Sequence, residues 1–209
     1  MLFQFQNISK QFSGQFILQH FSFEIEEGDK VNIAGRSGIG KTTLFRLILG
    51  FEKPDEGCIY YKGVLLDEKT VWTLRREVAY VCQDLTIGSG SVRGFFDDTL
   101  SLKANMKNKT GAEESIKSLM DYFELPEAIL DKNREELSGG EKQRVAIINA
   151  LLLKRTIFLL DEVTSALDAD LREKVMAYFF NKKELTVLYI SHNSHLPDNV
   201  KVKTIKLKA

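Results

Sequence analysis

Gly35-Arg36-Ser37-Gly38-Ile39-Gly40-Lys41-Thr42-Thr43 carries the pattern G-x-x-x-x-G-K-S/T. Glycines at this spacing let backbone N–H groups curl around phosphate oxygens, and a helix start just beyond adds positive potential. Lys41 would reach the outer phosphates of a nucleotide, and the Thr42 hydroxyl would hold Mg2+. A second chemistry lies in Asp161-Glu162, which closes the apolar run 156–160. Two adjacent acids at the carboxyl end of a buried strand cost desolvation unless a cation or a substrate uses them. Neighbouring side chains leave a strand end in different directions. Asp161 therefore suits the Mg2+ shell, and Glu162 suits a base that orients and deprotonates an attacking water. A third feature is Ser138-Gly139-Gly140, followed by Glu141. Ser138 can cap a helix whose first N–H groups the glycines leave open. One triphosphate seldom needs two such loops from one chain. This loop is therefore expected to contact the γ-phosphate held by another copy of the protein.

These side chains need a scaffold, and the hydrophobic patterning supplies one. Residues 2–34 read as β, with Phe3 and Phe5 alternating with Gln4 and Gln6, and turns at Ser13-Gly14 and Glu27-Gly28-Asp29. Residues 30–34 form a strand that runs into the glycine-rich loop, then a helix over 41–49 that Gly50 ends. Two short strands fall within 57–66, and a buried strand spans 78–82. From 91 to 131 the apolar residues recur at helical spacing, which predicts a helical subdomain inserted between strands. A helix from the Ser138 loop to about 153, a strand at 156–160, a helix at 168–181, and strands at 185–190 and 200–207 complete a βαβ rhythm. That rhythm predicts a mostly parallel core sheet. The fold class is thus α/β, with an antiparallel N-terminal β-subdomain. The single domain spans 1–209, its core being 1–90 and 141–209, and its helical subdomain 91–140.

Composition excludes several classes. The chain has 209 residues, with 29 Lys+Arg against 29 Asp+Glu, so nothing in the charge balance favours a nucleic-acid partner. At 44% hydrophobic and 10% aromatic residues, it can build a core. Cys58 and Cys82 make neither a disulfide framework nor a metal cluster, which fits a cytoplasmic protein. The longest apolar runs, 146–153 and 156–160, fall short of a membrane helix, and residues 1–6 lack the features of a signal peptide. Any membrane role is expected to come through a partner. With little sequence beyond the last strand, no C-terminal regulatory domain is expected.

Together these motifs resemble the ATP-binding subunit of ABC transporters. Leu137-Ser138-Gly139-Gly140-Glu141, continuing Lys142-Gln143-Arg144, is similar to that family's signature. Ser165-Ala166-Leu167-Asp168 resembles its D-loop, Gln83 its Q-loop glutamine, and His192 its switch histidine. His20 and His195 have no such support. The resemblance implies a P-loop ATPase that closes into a head-to-tail homodimer around two Mg·ATP. Each nucleotide would lie between residues 35–43 of one copy and Ser138-Gly139-Gly140 of the other. His192 would contact the γ-phosphate, Gln83 would sense Mg2+ and water, and Asp168 would cross the interface. Phe12 would stack on adenine, with Phe16 as its rival. The resemblance also implies a separately encoded membrane permease, met on the cytoplasmic face through residues 84–100. Phe95 and Phe96 are candidates for an apolar docking patch or, equally, for packing inside the helical subdomain. Val163 and Asn149 stand where many family members have proline and arginine, which argues against the commonest importer subgroups. The stretch 123–133, with the signature and Asp161–Ser165, looks most like bacterial iron-export subunits, so export of iron or another metal ion is the expected task, with lipoproteins, peptides or amino acids as alternative cargo and a soluble, non-transport ABC ATPase as a further alternative.

Overall fold

The computed structural model describes residues 1–83, 87–191 and 200–207. Two sheets carry the fold. The first is antiparallel and holds β1 (Phe3–Phe12), β2 (Gln15–Ile25), β4 (Glu56–Tyr61) and β5 (Val64–Leu65) in the order β2-β1-β4-β5. The second holds β3 (Lys30–Ala34), β6 (Val78–Val81), β7 (Ile157–Asp161), β8 (Thr186–Ile190) and β9 (Val202–Lys206). Its order is β6-β7-β8-β3-β9, and every pairing is parallel. The helices are α1 (Lys41–Ile48), α2 (Val71–Glu77), α3 (Val92–Ser101), α4 (Ala112–Tyr122), α5 (Gly139–Leu152) and α6 (Ala169–Phe180).

β7 and β8 are buried along their whole length, as continuous apolar runs in a doubly covered parallel sheet must be. Their alternation divides the core. Ile157, Leu159, Leu188 and Ile190 join α1 and the antiparallel sheet in one cluster. Phe158, Leu160, Val187 and Tyr189 join α3, α4, α5 and α6 in the other. The second cluster runs without a break from Phe96 and Met120 to Val145 and Phe179. The helical segment at 91–140 is therefore welded to the sheet by α5, not walled off from it.

Most of the expected elements are present, with their ends moved by a residue or two. The strand expected at 156–160 is Ile157–Asp161, which takes Asp161 into the strand itself. The helix expected at 168–181 is Ala169–Phe180, with Asp168 and Asn181 as its caps. Gly50 follows α1 at φ 65°, a left-handed turn that glycine adopts without cost, and its N–H donates to Leu47 O (3.1 Å). The sequence pattern did not reveal α2, whose only buried residues are Val71 and Leu74. Two apolar positions three apart are too weak a stripe to read.

Candidate functional site

The phosphate loop connects β3 to α1. Of residues 36–40, only Ile39 is recorded as donating its N–H to a backbone carbonyl within the described structure, that of Arg36 (3.3 Å). The other amides are left for a ligand, as an anion cradle at a helix start requires. Gly40 caps α1 at φ 101°, and a Cβ there would lie 1.8 Å from Ile17 Cγ2. That contact presses β2 against the loop and leaves no room for a side chain at Gly40. Lys41 is buried, and its ammonium donates to Gly35 O (3.1 Å) and Arg36 O (3.0 Å). The charge thus sits back across the loop, held by carbonyls that a phosphate can replace.

The acid pair meets this loop from β7. Thr42 Oγ1 donates to Asp161 Oδ2 (2.8 Å), and the Tyr80 hydroxyl lies 3.4 Å from the same oxygen. Asp161 is 1% exposed, and its Oδ1 has no hydrogen-bond partner among the described residues. Burial pushes the Asp161 carboxyl up from the usual carboxylate range. The Thr42 hydrogen bond opposes the rise, and the neighbouring Glu162 charge adds to it. A buried carboxylate oxygen left without a donor, beside a threonine hydroxyl, is a donor set that fits Mg2+, a hard cation that takes oxygen ligands.

That arrangement predicts an inverted response to substitution. Asp161→Asn keeps an oxygen for Thr42 and Tyr80 while removing the desolvated charge. Without Mg2+, its Tm is expected to rise, on the order of 2–4 °C. The further rise that Mg2+ gives the nucleotide-bound wild type should vanish. A melting curve with and without Mg2+ checks both, and a Tm lowered in the absence of metal would contradict the reading.

Glu162 is placed by its backbone. It sits at φ 51°, a left-handed conformation rare for a side-chain-bearing residue. Its N–H donates to Ile190 O (3.1 Å), and its carbonyl accepts from Ser165 N (3.1 Å). Gln83, just beyond β6, donates from Nε2 to Glu162 Oε2 (3.1 Å). The structure therefore ties Gln83 to Glu162; no hydrogen bond is recorded from it to the expected Mg2+ residues Thr42 and Asp161. His192 and His195 lie outside the described residues, as do positions 84–86 of the expected docking segment.

The loop ahead of α5 is a capping box. Ser138 Oγ accepts from Glu141 N (3.2 Å), and Glu141 Oε2 accepts from Ser138 N (2.7 Å). Ser138 and Gly139 are exposed. Among the described residues, no hydrogen bond joins this loop to residues 35–43. Asp168, expected to cross to another copy, uses Oδ1 to cap α6 by accepting from Leu171 N (2.9 Å). Gln143 stands in the signature-like stretch, but the sequence assigned it no role of its own. Buried on α5, it donates to Ser165 Oγ (2.8 Å) and accepts from Ala166 N (3.0 Å). It locks the helix of the Ser138 loop to the segment that follows the acid pair.

The two aromatic candidates lie across one hairpin, where Gln11 pairs with Phe16 and Phe12 with Gln15. Both rings are exposed, and the Lys10 ammonium lies 5.2 Å from the Phe12 ring centre. Phe16 lines a cavity of about 360 Å³ with Ile17 and Leu207. The docking candidates separate: Phe96 is buried in the core, and the Arg134 guanidinium lies over Phe95 at 5.0 Å. Of the two alternatives for Phe96, the structure shows core packing and not a surface patch. Large exposed apolar side chains stand instead at Phe51 and Trp72, on either side of Arg75 at 4.6 and 4.7 Å.

The family model described as ABC transporter matches residues 18–165. The Fe(3+) ions import ATP-binding protein FbpC 3 of Rhodococcus jostii (strain RHA1) is 35% identical over 89% of this chain and 54% of its own length. The chain thus spans about half the length of that relative. The ergothioneine transport ATP-binding protein EgtV of Helicobacter pylori (strain G27) is 31% identical over 98% of this chain and 96% of its own. A dimeric bacterial ABC transporter cassette superposes with a TM-score of 0.83 over 98% of this chain and 94% of its own, at 24% identity. The expectation of iron export finds no support here, since the relative named for iron is an importer.

Proposed function

This chain belongs to the ABC transporter family of ATP-binding domains, and on that premise we propose that it binds and hydrolyses Mg·ATP to drive a membrane-embedded partner. The observation that carries the chemistry is the junction of loop and acids. Thr42 bonds Asp161 at 2.8 Å, while Gln83 holds the neighbouring Glu162 at 3.1 Å. In this reading, loop amides 36–40 and Lys41 bind the β- and γ-phosphates. Thr42 and Asp161 hold Mg2+, whose charge neutralises the phosphate oxygens. Glu162 orients a water for in-line attack and takes its proton, and Gln83 sets the rotamer of Glu162. His192 is proposed to touch the γ-phosphate.

The exposed Ser138 loop supports a homodimer in the ATP-bound state, with each nucleotide closed by the other copy's Ser138, Gly139 and Gly140. Asp168 would lie at that interface. Phe12 is proposed to stack on adenine: it fits the place upstream of the phosphate loop where the family usually has tyrosine, and a phenylalanine ring presents the same stacking face. Phe12→Ala is expected to weaken ATP binding about tenfold and Phe16→Ala much less. Equal affinities by fluorescent-nucleotide titration would remove Phe12 from this role.

No helix among the described residues is long and apolar enough to cross a membrane. In this reading, coupling to transport runs through a separate polytopic protein, met at the cytoplasmic face. Phe51 and Trp72 supply an exposed apolar contact for it. The relatives named for a cargo carry different ones, ferric ions and ergothioneine, which supports a reading in which the membrane partner selects the cargo. Gentle solubilisation of native membranes and tagged purification should recover that protein in stoichiometric yield, and Phe51→Ala/Trp72→Ala should lose it. Recovery of the tagged chain with no polytopic partner would refute the transport reading.

A further inference from the structure

Five cations converge on one cavity at the edge of the parallel sheet opposite the phosphate loop. The cavity, of about 620 Å³, is lined by Arg76, Lys103, Lys107, Lys154 and Arg155, with Glu77 as its one acid. Arg76 and Glu77 precede β6, and Lys154 and Arg155 precede β7. Lys103 and Lys107 come from the connection between α3 and α4. The nucleotide chemistry lies at the carboxyl ends of these strands, so the two sites are separated by the length of a short strand, roughly 17 Å.

One acid faces five cations here, and the Glu77 carboxylate acts on Arg155 without a close contact. Among the described residues, none of the five cations makes an ion pair. Glu77 is shared with other groups, its Oε2 accepting from Lys62 (2.6 Å) and from the Tyr61 hydroxyl (2.8 Å). Arg155 is half-buried and fixed by donation to Asn105 Oδ1 (2.6 Å). Asn108 in turn donates to Leu153 O (2.8 Å), which pins the Lys103–Lys107 connection over the cavity. The carbonyl ends of α2 and α5 favour cations at Arg76, Lys154 and Arg155. They do not account for Lys103 and Lys107, which belong to neither helix. In a chain whose formal charge is zero, such a convergence is not a consequence of composition.

We propose that this cavity binds an anion bearing more than one phosphate group. Its volume is that of a small-molecule site, larger than a single phosphate needs. Its five donors come from both the sheet and the helical segment, so a bound polyanion would bridge the two. The shared chemistry is the phosphate cluster, whether carried by a free polyphosphate or by lipid headgroups.

The test is calorimetric titration of tripolyphosphate into the full chain, with the nucleotide site saturated by a non-hydrolysable ATP analogue. Vesicles of phosphatidylcholine, with and without cardiolipin, whose headgroup joins two phosphates, form the second arm. Lys103→Glu/Lys107→Glu is expected to weaken the interaction at least tenfold and Lys103→Arg/Lys107→Arg to retain it. Lys69→Glu/Lys183→Glu makes the same change in net charge elsewhere and should leave binding unaltered. Tripolyphosphate binding that follows this pattern identifies a soluble anion, and cardiolipin binding alone that follows it identifies a headgroup. Absence of both, or equal loss in Lys69→Glu/Lys183→Glu, overturns the proposal. ATP affinity measured on the same variants reads the nucleotide site separately.

Discussion

Glu162→Gln is expected to lower ATP turnover by roughly 10²- to 10⁴-fold, the range lost with a positioned general base, while leaving ATP affinity nearly intact. The structure makes this a clean substitution. Glutamine keeps the length of the side chain and an oxygen for Gln83 Nε2. The backbone bonds to Ile190 and Ser165 do not depend on the side chain at all. A left-handed backbone at a non-glycine residue costs about 1–3 kcal/mol, and these bonds hold it whichever side chain is present. What changes is basicity: an amide cannot take the proton of the attacking water. With hydrolysis blocked and binding spared, the ATP-bound dimer should accumulate on a sizing column. Phosphate release at the wild-type rate would remove Glu162 from the role of base.

The site was legible in the sequence to the extent that it is local. A strand, a glycine loop and a helix follow one another within residues 30–48, so their spacing alone fixes how Lys41 and Thr42 present themselves. The acid pair was legible for the same reason, since a buried strand ends where its apolar run ends. Contacts between distant segments were not. Tyr80 meets Asp161 because β6 pairs with β7 in a register that sets it beside Leu159. Ile17 meets Gly40 because the antiparallel sheet folds over α1. Neither contact leaves a period or a motif. Asp168 shows the complement: the resemblance implies an interface role, and the fold of one copy adds a local one that the motif does not announce, the cap of α6. Phe96 was undecidable from its own segment, because the helical period of α3 does not say which stripe faces the sheet.

The second large effect is expected at Ser138, where a structural and a functional role can be separated by the choice of substitution. Ser138→Arg should abolish ATP-driven dimerisation while sparing ATP binding to one copy. It also removes the cap that Ser138 Oγ gives Glu141 N, and losing a cap costs typically about 1 kcal/mol, so a negative result alone would be ambiguous. Ser138→Asp resolves this. Aspartate caps as well as serine does, and its charge is favourable at the start of α5. A merely structural Ser138 would therefore tolerate it, with Tm unchanged or raised. If the loop instead receives the γ-phosphate of a second copy, the same carboxylate meets phosphate charge at close range, and like charges there disfavour closure. The expected result is a stable monomer that binds ATP as tightly as wild type yet does not dimerise on a sizing column. An Asp variant that dimerises normally would show that the loop caps α5 and nothing more, and the composite site would fail with it.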